Sequence, residues 1–280
     1  MLEVFEKTKI RWLLLFFVII NIVLAIPLVI YTIIYGDSLD GIMTDLIGFV
    51  SNLTIVIFVG IYYYKNKGDN KINFKFIKES GTKKEFILLT VFNLIFAFAS
   101  VFLLQGIIHY VKPEMLKELL QESPIKSDSI IMAILVACIM APVVEELVFR
   151  GIIFTRLRFR FNTTAAILIS SLIFGLLHIS LSIVHAFILG VTFCVIFKKY
   201  NNIFLNMILH SVYNFLATVV GGVLGLSFLN FDILTASDTS INICIAISLV
   251  LVILSGIYLF KFCKENWRAR DFEDEIIELV

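Results

Sequence analysis

The stretch Ala141-Pro-Val-Val-Glu-Glu-Leu-Val-Phe-Arg-Gly151 places two adjacent glutamates and an arginine in a run that is otherwise apolar enough to cross a bilayer. A charged side chain at the centre of a membrane span costs about 2.5–3.5 kcal/mol on insertion scales, so by default it indicates a functional site. Two later apolar runs each carry one histidine, His178 and His210. Carboxylates and imidazoles inside membrane segments point toward an enzyme.

The composition is that of a polytopic membrane protein. Hydrophobic residues make up 60% of the chain, against about 45–50% in soluble domains, and the mean hydropathy is +0.98. The four cysteines have no paired spacing, so neither a disulfide framework nor a thiolate metal site is indicated. We find no basic, aromatic-interleaved pattern of the kind that binds nucleic acid, and we expect no nucleic-acid partner.

Apolar runs of about 20 residues predict an all-α fold, a bundle of about eight transmembrane helices with a polar site inside it. The predicted spans are 12–34, 42–64, 86–110, 129–153, 164–181, 183–199, 203–226 and 241–262. We divide the chain into a three-span region with a basic loop (1–128), a catalytic core (129–226), and a last span with its tail (227–280).

The connecting loops alternate in charge. The N-terminus, the 65–85 loop, the arginines after the fourth span, the lysines after the sixth and the start of the tail are basic, while the intervening loops are not. The positive-inside rule therefore predicts an integral membrane protein with both termini in the cytoplasm, in the plasma membrane if the source is prokaryotic. The 111–128 segment fits either a short amphipathic helix on the outer surface or a plain loop.

Helical spacing separates the two glutamates. Glu146 and Arg150 are four residues apart and can pair on one face of a helix. Glu145 is offset from Glu146 by about 100°, so it can face another helix. We therefore expect Glu146 to be a structural carboxylate and Glu145 to be a reactive one.

Two further spans bring imidazoles to the same region. Phe174 precedes His178 by four residues, and His210 precedes Asn214 by four. If the fourth and fifth spans form a hairpin that turns at residues 161–162, Glu145 and His178 each lie sixteen residues from the turn and are level. We expect the polar clusters to meet in one layer, shallow from the cytoplasmic side.

These residue types are suited to hydrolysis. A carboxylate near an imidazole can deprotonate a water, and an amide with a second imidazole can stabilise an oxyanion. Alternatively, Glu145, His178 and His210 are candidate ligands for Zn²⁺ or another divalent metal that keeps one position open for water. The His-Glu-x-x-His zinc helix is absent from the sequence.

The ordered motifs resemble the CAAX prenyl protease and bacteriocin-processing family of intramembrane endopeptidases, also called the CAAX amino-terminal protease or Abi family. The motifs are Glu-Glu-x-x-x-Arg (145–150), Phe-x-x-x-His (174–178) and His-x-x-x-Asn (210–214). The resemblance covers roughly residues 130–220. Each motif alone is weak, while the ordered trio is specific.

The resemblance implies a role for each matching residue. Glu145 with His178 would activate water, and His210 with Asn214 would form the oxyanion pocket. Glu146 and Arg150 would support the site. The family's mechanism has been described both with and without a metal, and the implied partners are a lipid bilayer and a membrane-embedded or lipid-anchored peptide or protein substrate.

Two other functions fit the same residues. A non-catalytic bacteriocin-immunity or scaffold protein would use the motifs only to stabilise the bundle. A proton-coupled transporter would use them as a relay, but the predicted charges cluster in spans four to seven and form no repeat between the two halves.

Overall fold

The computed structural model describes residues 41–65, 80–121, 130–178, 180–218 and 233–267, together with isolated positions between 15 and 34. All regular structure within these residues is helical, which confirms the predicted all-α class. The helices are α1 (Gly41–Lys65), α2 (Ser80–Val111), α3 (Pro113–Gln121), a composite helix over residues 130–158, α7 (Thr163–Leu177), α8 (Ile183–Tyr200), α9 (Ile203–Thr218) and α10 (Asp238–Asn266). Within the composite helix, α4 is Ile130–Ile134, α5 is Ala141–Glu146 and α6 is Thr155–Arg158.

Within the part of the chain that the structure describes, three helices are long and apolar enough to cross a membrane. They are Lys83–Val111 in α2, α8 and α10. Three more apolar helical segments are shorter, at Leu46–Ile61, Thr163–Leu177 and Ile203–Thr218, and they fall inside predicted spans. The predicted first span lies largely outside the described residues, as do the 66–79 loop, residues 219–232 and the tail after Trp267. The structure therefore supports a membrane bundle and leaves the number of spans a prediction.

The fourth predicted span is not a uniform α-helix. Two π-helical segments, Leu135–Met140 and Leu147–Phe154, interrupt it on either side of α5. Such wide turns shift the hydrogen-bond register and are frequent at functional sites. Glu145 and Glu146 end the short α-helical segment between them, so both glutamates lie next to a change of helical register.

Asparagines define the turns that bring the next helices together. Asn162 caps α7 by accepting a hydrogen bond from the backbone N–H of Ala165 (2.8 Å). Asn201 ends α8 in the left-handed conformation (φ 46°), which asparagine tolerates better than most residues. Asn202 then accepts from the N–H of Leu205 (3.1 Å) at the start of α9. These caps make α8 and α9 an adjacent pair that reverses direction within a few residues.

The register of the hairpin between the composite helix and α7 agrees with the prediction. Phe149 and Phe174 each lie twelve residues from the turn at residues 161–162, and their ring centroids are 4.9 Å apart. Ser170 Oγ also donates to the carbonyl oxygen of Phe149 (3.3 Å). These contacts have the register that the predicted hairpin requires, while the level of Glu145 with His178 stays a prediction.

One end of the bundle gathers the basic ends of several helices, and we call it the basic end. Lys199, at the end of α8, donates to both carboxylate oxygens of Glu85 in α2 (2.9 and 2.6 Å). Lys198 donates to the carbonyl oxygen of Trp267 after α10 (2.7 Å), and the Trp267 indole N–H donates to Thr164 Oγ1 in α7 (2.8 Å). This common end is the arrangement that the alternating loop charges predict, with all these ends on one side of the membrane.

The amphipathic segment after α2 is the helix α3. Leu116 is fully buried against Ile233 and Ile241, while Met115 on its other side is 40% exposed. Leu119 and Leu120 are half-buried. The helical alternative for this segment is confirmed, and its apolar face packs against the first turn of α10.

Gly190 lets α8 approach α7 closely. A Cβ at this position would lie 3.1 Å from both Cα and Cβ of Ser171 and 3.3 Å from the Phe174 ring. Backbone atoms cannot move aside as the end of a side chain can, so the absence of a side chain at residue 190 sets the distance between the two helices.

We predict that Gly190→Ala destabilises the fold by about 1–3 kcal/mol, since overpacking of a close contact costs that much. Gly60→Ala is the matched control, because a Cβ at residue 60 meets nothing within 4 Å. That change is expected to leave stability unchanged or to raise it by up to about 1 kcal/mol through helix propensity. Thermal unfolding of both variants in detergent tests the difference, and equal melting temperatures would contradict the close-packing argument.

Candidate functional site

The site is built around the buried carboxylate of Glu146. Its side chain is 0% exposed, and Oε1 accepts from Arg150 Nη1 (2.8 Å) and from His210 Nδ1 (2.8 Å). Oε2 accepts from Asn206 Nδ2 (3.1 Å). A buried charge is tolerated only when it is paired and its remaining lone pairs are satisfied. Three donors on two helices meet that need, so Glu146 fixes the composite helix against α9.

Arg150 links this network to α8 and to two aromatic rings. It is also 0% exposed, and Nη2 donates to the carbonyl oxygen of Gly190 (3.3 Å). Its guanidinium carbon lies 4.7 Å from the ring centroid of Phe174 and 5.4 Å from that of Phe193. Stacking on aromatic faces suits the planar guanidinium. The predicted Glu146–Arg150 pair is thus confirmed as a structural element of the site.

His210 has its tautomer set by the buried glutamate. Because Nδ1 faces the Glu146 carboxylate at 2.8 Å, Nδ1 carries the proton and donates it to that oxygen. The other nitrogen, Nε2, lies 3.5 Å from Glu145 Oε2. The His210 imidazole therefore lies between the two glutamates. Glu146 orients the ring from the Nδ1 side, and Glu145 lies on the Nε2 side.

Glu145 differs from its neighbour in exposure and in partners. Its side chain is 25% exposed, and its buried Oε2 atom makes no hydrogen bond to any residue that the structure describes. The 3.5 Å contact with His210 Nε2 is close, but it lacks hydrogen-bond geometry. An oxygen of this kind is available to a water or a substrate, which the oxygens of Glu146 are not. The predicted division between the two carboxylates therefore agrees with their environments.

His178 lies at the end of α7 and not inside a helix. The helix stops at Leu177, and His178 follows it with φ −91° and ψ 76°. Its Nδ1–H donates to the carbonyl oxygen of Phe174 (2.8 Å), which leaves Nε2 as the acceptor nitrogen. The prediction that the fifth span continues to residue 181 is wrong, because the chain departs from helical geometry at this histidine.

The Phe174 ring joins the two histidines. It is 1% exposed, with ring centroids 4.4 Å from His178 and 6.1 Å from His210. Counted along their own helices, His178 lies about 22 Å from the start of α7 and His210 about 10 Å from the start of α9, at about 1.5 Å per residue. The two histidines therefore neighbour one common ring, and the single shallow layer expected for all the polar clusters stays a prediction.

Asn214 is placed against a carbonyl left free by the π-helical segment. The N–H of Ala141 donates to the carbonyl oxygen of Val136, and Pro142 has no N–H. Neither of the two usual backbone donors therefore serves the carbonyl oxygen of Ala137. Asn214 Nδ2 donates to that oxygen (2.8 Å). One of its two amide hydrogens is used in this way, and the second is available to the site.

Sequence reasoning missed Asn206. It is fully buried, and its Nδ2 donates to the carbonyl oxygen of Phe193 (2.8 Å) as well as to Glu146. The signal was present, since Asn206 precedes His210 by four residues and so shares its helical face. The contribution of Gly190 could not have been found in this way, because its carbonyl acts only through the packing of α8.

The described residues do not assemble a metal site. No group of three or more His, Cys, Asp or Glu side chains within them is arranged to hold a metal ion. Glu145 and His210 approach each other, but the structure does not bring His178 into a shared coordination sphere with them. The three-ligand set therefore stays a prediction.

Comparison with known proteins identifies one family. Residues 127–216 match the family model described as type II CAAX prenyl endopeptidase Rce1-like, which is 90 of the 280 residues. The matched segment holds all three motifs, so it confirms the family resemblance that they indicate. Searches of curated proteins and of solved structures found no match.

We predict that Arg150→Met destabilises the protein by about 3–5 kcal/mol, because it leaves the buried Glu146 carboxylate without its cation. The double variant Glu146→Gln/Arg150→Met is expected to recover part of that loss, since no buried charge remains. Denaturant or thermal unfolding in detergent measures both variants. If the double variant is as unstable as Arg150→Met alone, the charge pairing is not what holds this region together.

Proposed function

We propose that this chain, whose residues 127–216 form an Rce1-like domain, is an intramembrane endopeptidase that hydrolyses a peptide bond in a membrane-associated protein or peptide. The observation that carries the proposal is the geometry at Glu145. The Glu145 side chain is partly exposed, and its buried oxygen Oε2, which has no hydrogen bond, lies 3.5 Å from His210 Nε2. The fully buried Glu146 orients that imidazole. General-base hydrolysis needs a free carboxylate beside an oriented polar group.

Water activation belongs to Glu145 and His178 in this mechanism. His178 Nε2, left as an acceptor by the bond from Nδ1 to Phe174, accepts a hydrogen bond from the water. Glu145 removes the second proton of that water as its oxygen bonds to the scissile carbonyl carbon. The hairpin register that brings Phe149 onto Phe174 supports the placement of these two side chains at one level.

Oxyanion stabilisation belongs to His210 and Asn214. The Glu146 carboxylate at Nδ1 stabilises positive charge on the His210 ring, as a buried aspartate does for the histidine of a serine protease triad. In this mechanism the His210 ring carries a proton on each nitrogen throughout the cycle, so that Nδ1–H donates to Glu146 while Nε2–H donates to the tetrahedral oxyanion and keeps its proton. The second amide hydrogen of Asn214 donates to the same oxyanion. Glu145 finally gives its proton to the leaving amine as the carbon–nitrogen bond breaks. The net change adds OH to the carbonyl carbon and H to the amine.

The substrate is proposed to be lipid-anchored or membrane-embedded. The matching family is described as type II CAAX prenyl endopeptidase, and the site is built from apolar helices of a membrane bundle. The lysines and arginines of the basic end support a cytoplasmic location for that end under the positive-inside rule. We accordingly place both termini in the cytoplasm.

We predict that Glu145→Gln and His178→Ala each lower the hydrolysis rate by at least about 100-fold, the usual lower bound for loss of a general base. The assay uses purified protein in lipid vesicles with two quenched fluorescent peptides. One carries a C-terminal prenylated cysteine followed by three residues, and the other is anchored by a transmembrane segment without a prenyl group. The ratio of the two rates identifies the substrate class.

Two matched variants control this experiment. Glu114→Gln changes an exposed glutamate of α3, and His109→Ala changes a histidine near the far end of α2; both are expected to leave the rate unchanged. All variants must show wild-type thermal unfolding. Wild-type protein that folds but cleaves neither peptide would favour the non-catalytic scaffold alternative, and activity in Glu145→Gln would refute the mechanism.

Chelation tests the predicted metal. Since the described residues do not gather Glu145, His178 and His210 around one point, we expect the rate to survive dialysis against a strong zinc chelator. Loss of activity that returns on addition of Zn²⁺ would contradict this expectation and assign those three side chains as ligands. Apo and zinc-loaded protein would then also differ in thermal stability.

A further inference from the structure

A large apolar groove lies apart from the candidate site, between α7, α8 and α10. Its volume is about 870 Å³. Side chains such as Phe187, Val191 and Phe260 form its walls. Thr192 also lines the groove. Its hydroxyl donates to the carbonyl oxygen of Ile188 (2.9 Å), so this donor needs no partner from a molecule in the groove.

The length of the groove matches one leaflet of a bilayer. It runs from Gly256 in α10 to Trp267 just after that helix, a distance of about 16 Å for eleven rises of about 1.5 Å. The hydrocarbon core of a bilayer is about 30 Å thick, so one leaflet contributes about 15 Å. The helix α10 is also one of the three that are long and apolar enough to span a membrane.

Charged and amphipathic side chains lie at only one end of the groove, the basic end. Lys264, Glu265 and Trp267 line it there. Lys264 is exposed, and Lys261, which does not line the groove, lies 3.9 Å from Glu265 and offsets the charge of that carboxylate. Tryptophan and lysine at that depth are typical of the headgroup level of a membrane. The Lys264 ammonium therefore complements a phosphate at the membrane interface, and the apolar walls complement a hydrocarbon chain attached to that phosphate.

The chain's own C-terminal tail does not suit this groove. The thirteen residues after Trp267 include five acids, Asp271, Glu273, Asp274, Glu275 and Glu278. Carboxylates in an apolar cavity at membrane depth are strongly unfavourable. An occupant with one phosphate at the end and hydrocarbon along its length fits the groove better.

We propose that this groove binds one phospholipid from the leaflet at the basic end, with an acyl chain along α8 and α10 and the headgroup phosphate at Lys264. At the basic end, the Trp267–Thr164 hydrogen bond (2.8 Å) joins the end of α10 to the start of α7. The bound lipid fills the space between these helices and adds apolar contact to α10, whose other faces are mostly exposed. This site is separate from Glu145 and does not depend on the peptidase proposal.

The test compares two glycine variants in the full chain. Gly256 lines the groove, and a Cβ there would lie 3.6 Å from the Phe96 ring, whereas a Cβ at Gly60 in α1 meets nothing within 4 Å. Each is changed to leucine, and the proteins are reconstituted in phosphatidylglycerol vesicles and released into mild detergent. Native mass spectrometry then counts the phospholipids that remain bound.

We expect one retained phosphatidylglycerol per chain in wild type and Gly60→Leu, and at least a tenfold lower occupancy in Gly256→Leu. Lys264→Glu is expected to lower retention severalfold while leaving thermal unfolding in detergent unchanged, which covers the case in which Gly256→Leu fails to fold. Equal lipid retention in all four proteins would overturn the proposal. A prenylated peptide that displaces the phospholipid one for one would also overturn it. A dimer in which a second copy of the chain covers the groove would do the same.

Discussion

The structure depends on keeping one carboxylate charged and buried. Glu146 is surrounded by Arg150, His210 and Asn206, and each of these donors comes from a defined place on the composite helix or on α9. Leaving such a charge without its partners costs several kcal/mol in a low-dielectric interior. The helices must therefore meet in the one arrangement that satisfies it. The same network that stabilises the bundle fixes the imidazole on which the proposed chemistry relies.

The π-helical segments explain how one helix can serve both purposes. An ordinary α-helix uses its carbonyls internally, whereas the wide turns on either side of α5 release some of them to side chains from elsewhere. Asn214 of α9 donates to Ala137 and Ser170 of α7 donates to Phe149, both at backbone carbonyl oxygens of the composite helix, whereas Thr155 donates to Arg150 within that helix. Neighbouring helices are thereby attached at the level of the two glutamates. The π-helical segments thus both change the helical register and free the carbonyls that attach neighbouring helices beside the site.

Much of this arrangement could be predicted from the sequence because it depends on local spacing. The i,i+4 relation pairs Glu146 with Arg150, and equal distances from the turn at residues 161–162 set Phe149 against Phe174. Asn206 was equally visible by spacing, since it precedes His210 by four residues. The departure of His178 from the helix could not be foreseen, since residues 174–182 contain neither a proline nor a glycine after Gly175 to end it.

The sequence by itself determined the all-helical membrane class, the family motifs within residues 127–216 and the pairing of Glu146 with Arg150. Those features follow from composition, from the 3.6-residue period and from the cost of charge in apolar surroundings. Only the tertiary structure decided that His210 connects the two glutamates, that Asn206 and the Gly190 carbonyl complete the buried network, and that Phe174 joins the histidines. These are contacts between helices distant in the chain, and their geometry depends on side-chain packing that no local pattern encodes.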